Sequence, residues 1–375
     1  MKIAYDAKRI TNNFTGLGNY SRFIVNNLSV QYPESELLLF SPNRIKPEIK
    51  GRINNNPNLK FVLPKNKLSG FEKAYWRSWG IARDILEVKP DLYHGLTNEL
   101  PFTIKKTNVP SVVTIHDLIF LRYPQFYNSI DRKIYNYKFR RACQEATHIV
   151  AVSECTKRDI IEYYNISPDK ISVIYQGCNS LFMRESSDEQ KIKIKEKYTL
   201  PSDFILSVGT VESRKNLLLT VKALKTSKLD VKLVVIGKRT KYAKQIDAFI
   251  KQNHMQGQVL FLKDVCIDDL PVIYQLSSLF VYPSLFEGFG IPIIEALHSR
   301  VPVIGATNSC LEEAGGPSSV YVNPHNHKEL VEQMKWILKD DSLRENMILK
   351  GLEYVKRFEH KKLTKEMMEL YKTII

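Results

Sequence analysis

The chain has 375 residues, 43% hydrophobic and 25% charged, with 55 Lys+Arg against 40 Asp+Glu and a net charge of +15. That length is a soft prior for two domains, and the composition is that of a soluble globular protein able to bury a core without disulfides or metal staples. The five cysteines (Cys143, Cys155, Cys178, Cys266, Cys310) form no C-x-x-C pair, which argues against a disulfide framework and a cysteine-based zinc site, and no stretch nears the ~18 apolar residues of a membrane span.

The first residues, Met1-Lys2-Ile3-Ala4-Tyr5-Asp6, reach charge at once and do not read as a signal peptide, so a cytoplasmic protein is expected. Residues 1–174 hold 26 Lys+Arg against 16 Asp+Glu, the remainder 29 against 24, so most of the positive excess lies in the first half. Nucleic acid, an anionic membrane surface or a phosphorylated substrate could use it, and a merely basic surface explains it as well. Nucleic acid would need a basic stripe with base-stacking aromatics; here acids interleave, and no nucleic-acid partner is expected.

Short apolar, β-branched runs predict strands at 2–7, 36–41, 59–63, 91–94, 111–115, 147–152 and 171–175, then at 204–209, 231–237, 258–262, 279–283, 301–305 and 319–323. Amphipathic stretches lie between most of them, and strand alternating with helix argues for parallel sheets covered on both faces. The polar stretch 181–203 reads as a connection between a domain of residues 1–180 and one of residues 204–356. The closing stretch 357–375 reads as an amphipathic helix. Two open α/β domains in sequence imply a cleft, with ligands outside the carboxyl ends of the strands.

Four motifs carry chemistry. Gly16 and Gly18 in Thr15-Gly16-Leu17-Gly18-Asn19-Tyr20 stand at a helix entrance, where backbone N–H groups can approach a phosphate, although a plain loop fits equally. Ser21 stands where a nicotinamide-binding turn would need a third glycine. His116 follows the strand 111–115 and is placed at its carboxyl end, with a structural role as the alternative. Gly209 opens Gly209-Thr210-Val211-Glu212-Ser213-Arg214-Lys215-Asn216, which puts two cations near a helix N-terminus, a setting that suits a diphosphate. The fourth motif, 283–296, holds Glu287 and Glu295 eight apart, with Gly288, Gly290 and Pro292 between them. It sets two carboxylates, suited to sugar and ribose hydroxyls, at one turn entering a helix. No metal site is expected, since His325 and His327 read as an exposed surface pair.

The frame Ser284-Leu285-Phe286-Glu287-Gly288-Phe289-Gly290-Ile291-Pro292 with Glu295 resembles the signature of glycosyltransferase family 4, retaining enzymes of the GT-B fold. The glycine loop, His116-Asp117-Leu118, Ala151-Val152-Ser153-Glu154, 209–216, Phe261-Leu262 and Asp269-Leu270-Pro271 with Tyr274 fall in that family's order. Asn19 stands where the family often has arginine, and Thr156 where it has serine. The resemblance implies an α/β fold of two Rossmann-like doubly wound domains facing a cleft, the C-terminal helix crossing back to the first. It implies Arg214 and Lys215 on the donor diphosphate and Glu287 on the transferred sugar, helped by the N–H groups of Phe289, Gly290 and Ile291. Glu295 would bind ribose, His116 would polarise the sugar, and Gly16 and Gly18 would admit phosphates or acceptor. Gly209 would allow the tight turn, and Lys238 and Val265 would lie near the base. The implied activity moves a hexose from a UDP- or GDP-linked donor to a saccharide or lipid-linked saccharide, with retention, without metal or cofactor. A nucleotide-sugar epimerase or a sugar phosphorylase of the same shape is the alternative.

The stretch 71–87 predicts a helix with Phe71, Tyr75, Trp79, Ala82 and Leu86 on one face, read as core packing. Trp76 falls on the side of Lys73 and Arg83 and is read as exposed. With Tyr123, Phe126, Arg132, Lys133, Arg140 and Arg141 it could meet anionic lipid on the inner leaflet. Core packing of these aromatics is the competing reading.

Overall fold

The computed structural model describes residues 1–66 and 68–375. The chain divides into two compact units, Met1–Gly177 with Phe358–Ile375, and Cys178–Arg357.

The first unit holds seven strands: β1 Lys2–Asp6, β2 Glu36–Phe40, β3 Leu59–Val62, β4 Leu92–Gly95, β5 Ser111–Ile115, β6 His148–Ala151 and β7 Ile171–Val173. Their order is β3-β2-β1-β4-β5-β6-β7, with every pairing parallel. Both faces are covered. On β1, Ile3 and Tyr5 pack with Ile24 and Leu28, while Ala4 belongs to a cluster with Leu38, Phe40 and Ile85 on the other face. The closing helix His360–Ile374 packs into this unit through Met367, Met368 and Tyr371. His94 on β4 ties it to the sheet, its Nδ1 2.6 Å from the Tyr371 hydroxyl and its Nε2 2.8 Å from Thr114 Oγ1. Burial lowers the His94 imidazole to about 3, so it is a neutral core group.

The second unit holds β8 Phe204–Val208, β9 Lys232–Ile236, β10 Val259–Leu262, β11 Leu279–Tyr282, β12 Val303–Ala306 and β13 Val320–Val322, in the order β10-β9-β8-β11-β12-β13 and again all parallel. The stretch 181–203 is not a free connection. Its helix Asp188–Lys197 is closed by a Ser187–Gln190 capping box, and both Lys197 Nζ and the Tyr198 hydroxyl donate to Asp269, at 2.6 and 2.7 Å. Each sheet reverses its winding once, between β1 and β4 and between β8 and β11. Loops leaving the carboxyl ends of strands at such a reversal splay apart and leave room for a ligand.

The helix predicted over 71–87 is turned around relative to expectation. Trp76 is buried, 9% exposed, and its Nε1–H donates to Asp84 at 2.6 Å; Phe71 is 83% exposed and Trp79 47%, with Tyr75 and Leu86 also exposed. The cause is a π turn over Trp76–Gly80, in which the N–H of Ile81 bonds the carbonyl of Trp76 five residues back. The extra residue brings Trp76 onto the inward side with Ile81 and Ile85, and those three fill the core.

Candidate active site

Each strand end was built around a backbone constraint. Gly209 after β8 has φ +145° and Gly237 after β9 has φ +154°. A Cβ on Gly237 would lie 1.9 Å from the Gly209 carbonyl oxygen, so the two strand ends touch backbone to backbone. The chain then makes a short 3₁₀ turn, Ser213–Lys215, and Asn216 enters helix Leu217–Ser227 in the left-handed region at φ +57°. The Asn216 side chain donates to the carbonyls of Pro283 and Pro324, at 3.1 and 2.7 Å, and Leu285 N–H donates to the Arg214 carbonyl at 2.8 Å. The loop after β8 is thereby laced to the loop after β11.

The lacing brings Arg214, Lys215 and Glu287 into one knot. Arg214 reaches Glu287 Oε2 at 2.7 Å and Glu212 Oε1 at 2.7 Å, and donates to the Phe286 carbonyl at 2.7 Å. Lys215 Nζ lies 2.6 Å from Glu287 Oε1 and also donates to the Tyr282 hydroxyl. Tyr282 and Ser284 hydroxyls donate to Glu287 Oε1 at 3.1 and 2.6 Å. Burial alone would raise the Glu287 carboxyl, but Lys215 and Arg214 outweigh it and hold it at about 2. Burial lowers the Lys215 ammonium below its ordinary value, with Glu287 opposing.

Gly290, at φ +130°, precedes helix Ile291–His298. A Cβ there would meet Leu311 and Ala314 at 3.0 and 3.1 Å, and Phe289 is buried, so the turn is packed from behind. Pro292 in the first helical turn removes an N–H that needs no partner. Glu295 lies one turn along, accepting from the Tyr274 hydroxyl at 3.1 Å. Burial raises its carboxyl to about 8, with Tyr274 opposing. Lys238 is exposed after β9; Val265, half-buried, follows β10 in a loop whose Cys266 N–H donates to the Tyr198 hydroxyl at 3.2 Å.

The Glu295 shift has a stability consequence. Between about 4.5 and about 8 the folded chain holds a proton there that the unfolded chain has lost, so this group's contribution falls as pH rises through that window. Glu295→Gln should therefore melt above the wild type by a margin that widens from ~pH 5 to ~pH 9. A constant margin in differential scanning fluorimetry would refute a protonated buried carboxyl.

In the first unit, His116 follows β5 and is buried. Its Nε2–H donates to the Leu96 carbonyl at 2.9 Å, its Nδ1 accepts from the Gln176 amide at 3.3 Å, and its ring meets Tyr20 edge-on at 4.7 Å. The bond to Leu96 fixes the tautomer, and burial lowers the imidazole to about 4, so it is neutral at ordinary pH. The glycine loop differs from a bare phosphate cradle. Asn13 Oδ1 accepts from the N–H groups of Thr15 and Gly18 at 2.8 and 3.2 Å, and a Cβ on Gly18 would lie 2.2 Å from the Asn13 carbonyl oxygen. Gly18 is thus required by packing, while Gly16 faces open surface. Thr156 donates its N–H to Ser153, which caps helix Glu154–Tyr164. His325 and His327 stand at the entrance of helix His327–Lys339, and among the described residues no three His, Cys, Asp or Glu side chains gather as a metal site.

Tyr282 and Gln176 are partners that the sequence did not single out. Tyr282 reads there as a strand residue, and only the pairing of β8 with β11 shows that it touches Lys215.

Two all-parallel sheets, with a cation pair and Glu287 on the loops at the reversal of the second and Glu295 on the helix that follows, define a glycosyltransferase of the GT-B fold. Two family models match the chain: Glycosyltransferase Family 4 over residues 24–180 and Glycosyl transferases group 1 over residues 188–354. The chain belongs to glycosyltransferase family 4. It is 27% identical to the O-antigen chain mannosyltransferase B of Escherichia coli, over all of both chains. It is 25% identical to a Campylobacter jejuni N-acetylgalactosamine-N,N'-diacetylbacillosaminyl-diphospho-undecaprenol 4-alpha-N-acetylgalactosaminyltransferase, over 84% of this chain and 82% of that one. Among solved structures it is similar to Anabaena Alr3699/HepE in complex with UDP, with TM-score 0.77 and 16% identity over all of both chains.

Proposed function

We propose that this chain moves a hexose from a UDP- or GDP-linked donor to a saccharide hydroxyl, with retention, in building a surface polysaccharide or glycolipid. The observation that supports this reading is the knot of Arg214, Lys215 and Glu287 beside the start of helix Ile291–His298. Arg214 and Lys215 commit only part of their N–H donors to protein partners. The remainder suit a diphosphate whose charge grows as the sugar departs. Glu287, held ionised, accepts from sugar hydroxyls, helped by the N–H groups of Phe289, Gly290 and Ile291, and Glu295 accepts from ribose. Lys238 and Val265 flank the base, and Gly209 and Gly237 keep the strand ends clear of side chains.

In the first unit, neutral His116 is assigned to polarise the sugar, and the open surface at Gly16 to the acceptor. Same-face attack through an oxocarbenium-like state, with the departing phosphate taking the acceptor proton, requires no carboxylate nucleophile. The two cations supply the charge a metal would otherwise bring. The mannosyltransferase relative supports a mannose-type hexose, and the diphospho-undecaprenol named for the Campylobacter relative supports a lipid-linked acceptor. A chain acting on such an acceptor would work at the inner face of a membrane. No helix among the described residues is long and apolar enough to cross one.

A melting-temperature screen with UDP, GDP and their sugars in EDTA tests the reading. One nucleotide should stabilise the fold, by ~3 kcal/mol at a hundredfold excess over its Kd, and transfer should continue without added metal. Failure of every nucleotide to shift the melt, or turnover that returns only with Mg2+ or Mn2+, would refute it.

A further inference from the structure

Four aromatic rings form a continuous chain across three segments of the first unit. Tyr75 stacks on Trp79 at 5.6 Å, Trp79 lies 4.9 Å from Phe102, and Phe102 lies 6.0 Å from Tyr137. Phe71, one turn before Tyr75, and Ile134, three residues before Tyr137, are exposed and extend the chain at its two ends. So large an exposed apolar set is unusual for surface that faces only water.

Its rim is cationic. Arg141 stacks on the Phe102 ring at 4.4 Å, and Lys105, Lys106 and Lys133 are exposed close by in sequence. Carboxylates interleave with them: Glu72 closes the Ser69 capping box and Glu87 pairs with Lys65, both exposed, while Glu99 pairs with Arg77 and Glu145 with Arg141. Cations still outnumber them: segments 70–88, 99–107 and 129–145 hold ten Lys+Arg against six Asp+Glu, so this flank carries a net positive charge. Amphipathic rings ringed by cations match the boundary of an anionic bilayer, where tryptophan and tyrosine bury their apolar bodies and keep their polar ends wet.

The strip is also anchored to the sheet. The π turn that turns Trp79 outward turns Arg77 inward, where it bonds Asp6 at the carboxyl end of β1 at 2.6 Å and Glu99 beyond β4 at 2.7 Å. The rings therefore flank the strand edge on which the loops of the first unit stand.

We propose that the first unit docks on anionic lipid through the strip of Phe71, Tyr75, Trp79, Phe102, Ile134 and Tyr137. The strip stands on its own geometry; its use, to bring a lipid-linked acceptor to that edge, rests on the acceptor reading above. The test is sedimentation of the full chain with vesicles of phosphatidylcholine alone or mixed with phosphatidylglycerol. Partition onto the mixed vesicles should exceed that onto the neutral ones by at least ~10-fold and fall in high salt, since each cation near the surface adds ~1 kcal/mol. The triple variant F71S/Y75S/W79S should lose ~10-fold or more of that partition while keeping its melting temperature and its shift with nucleotide. Three results would overturn the proposal: wild type that binds neither vesicle, a variant that binds as well as wild type, or a wild-type dimer that the variant breaks, which would assign the strip to a second copy. Because nucleotide binding is read in the same samples, a failure of docking is distinguishable from a failure of the transferase reading.

Discussion

Lys215→Ala is expected to lower transfer by ~100-fold or more, with kcat and kcat/KM falling together, because it removes a cation matched to charge that develops only as the donor breaks. The substitution acts twice. It withdraws a donor from the diphosphate, and it strips Glu287 of its contact at 2.6 Å, leaving a buried carboxylate with Arg214 as its remaining cationic neighbour. Glu287→Gln separates the two effects. It should also reduce transfer strongly, yet nucleotide should bind at least as tightly as to wild type, since both cations lose an internal competitor. Initial rates with donor and acceptor saturated, alongside calorimetric titration of the nucleotide, check both variants. A Glu287→Gln enzyme with unimpaired transfer would refute the sugar-site assignment.

The second large effect is on stability. Arg77→Met should cost ~3–5 kcal/mol, because it leaves the buried Asp6 carboxylate without its cation and the half-buried Glu99 with Lys138, at 3.5 Å, as its remaining cationic neighbour. The Arg77 side chain is 14% exposed, Asp6 6% and Glu99 23%. Burial pushes the Asp6 carboxyl up, yet Arg77 outweighs it and holds that group below its ordinary range. The urea midpoint should fall accordingly. Adding Asp6→Asn and Glu99→Gln to the Arg77 variant should recover much of the loss by removing the stranded charges. No recovery would mean that Arg77 acts through packing of its stem rather than through its charge.

The strands were legible because parallel sheets buried on both faces require near-continuous apolar, β-branched runs, and all thirteen strands among the described residues overlap such runs. The loops after β8 and β11 were legible because glycine, proline and charge are concentrated there. What a linear reading lacks is strand order. Lys215 and Glu287 are 72 residues apart, and only the pairing of β8 with β11 sets their loops side by side. For the same reason Tyr282 passed as an ordinary strand residue, although its hydroxyl bridges the ammonium and the carboxylate. Gly18 carries a packing constraint that the sequence does not show. A glycine at a helix entrance signals close approach, and here what approaches is the Asn13 carbonyl. The inverted tryptophans have a third cause: helical wheels assume constant pitch, and the segment does not keep it.

That change of pitch bears on how such a surface could arise or vanish. The outward set Phe71, Tyr75 and Trp79 and the inward set Trp76, Ile81 and Ile85 coexist because one residue more is threaded through the turn than an α-helix would hold. Losing a single codon between 76 and 80 would let ordinary four-residue bonds close and would swing the upstream turn by about 100° against Ile81 and Ile85. The aromatics would be rearranged with the composition almost unchanged. In homologous chains the character of this flank would then follow length variation rather than substitution.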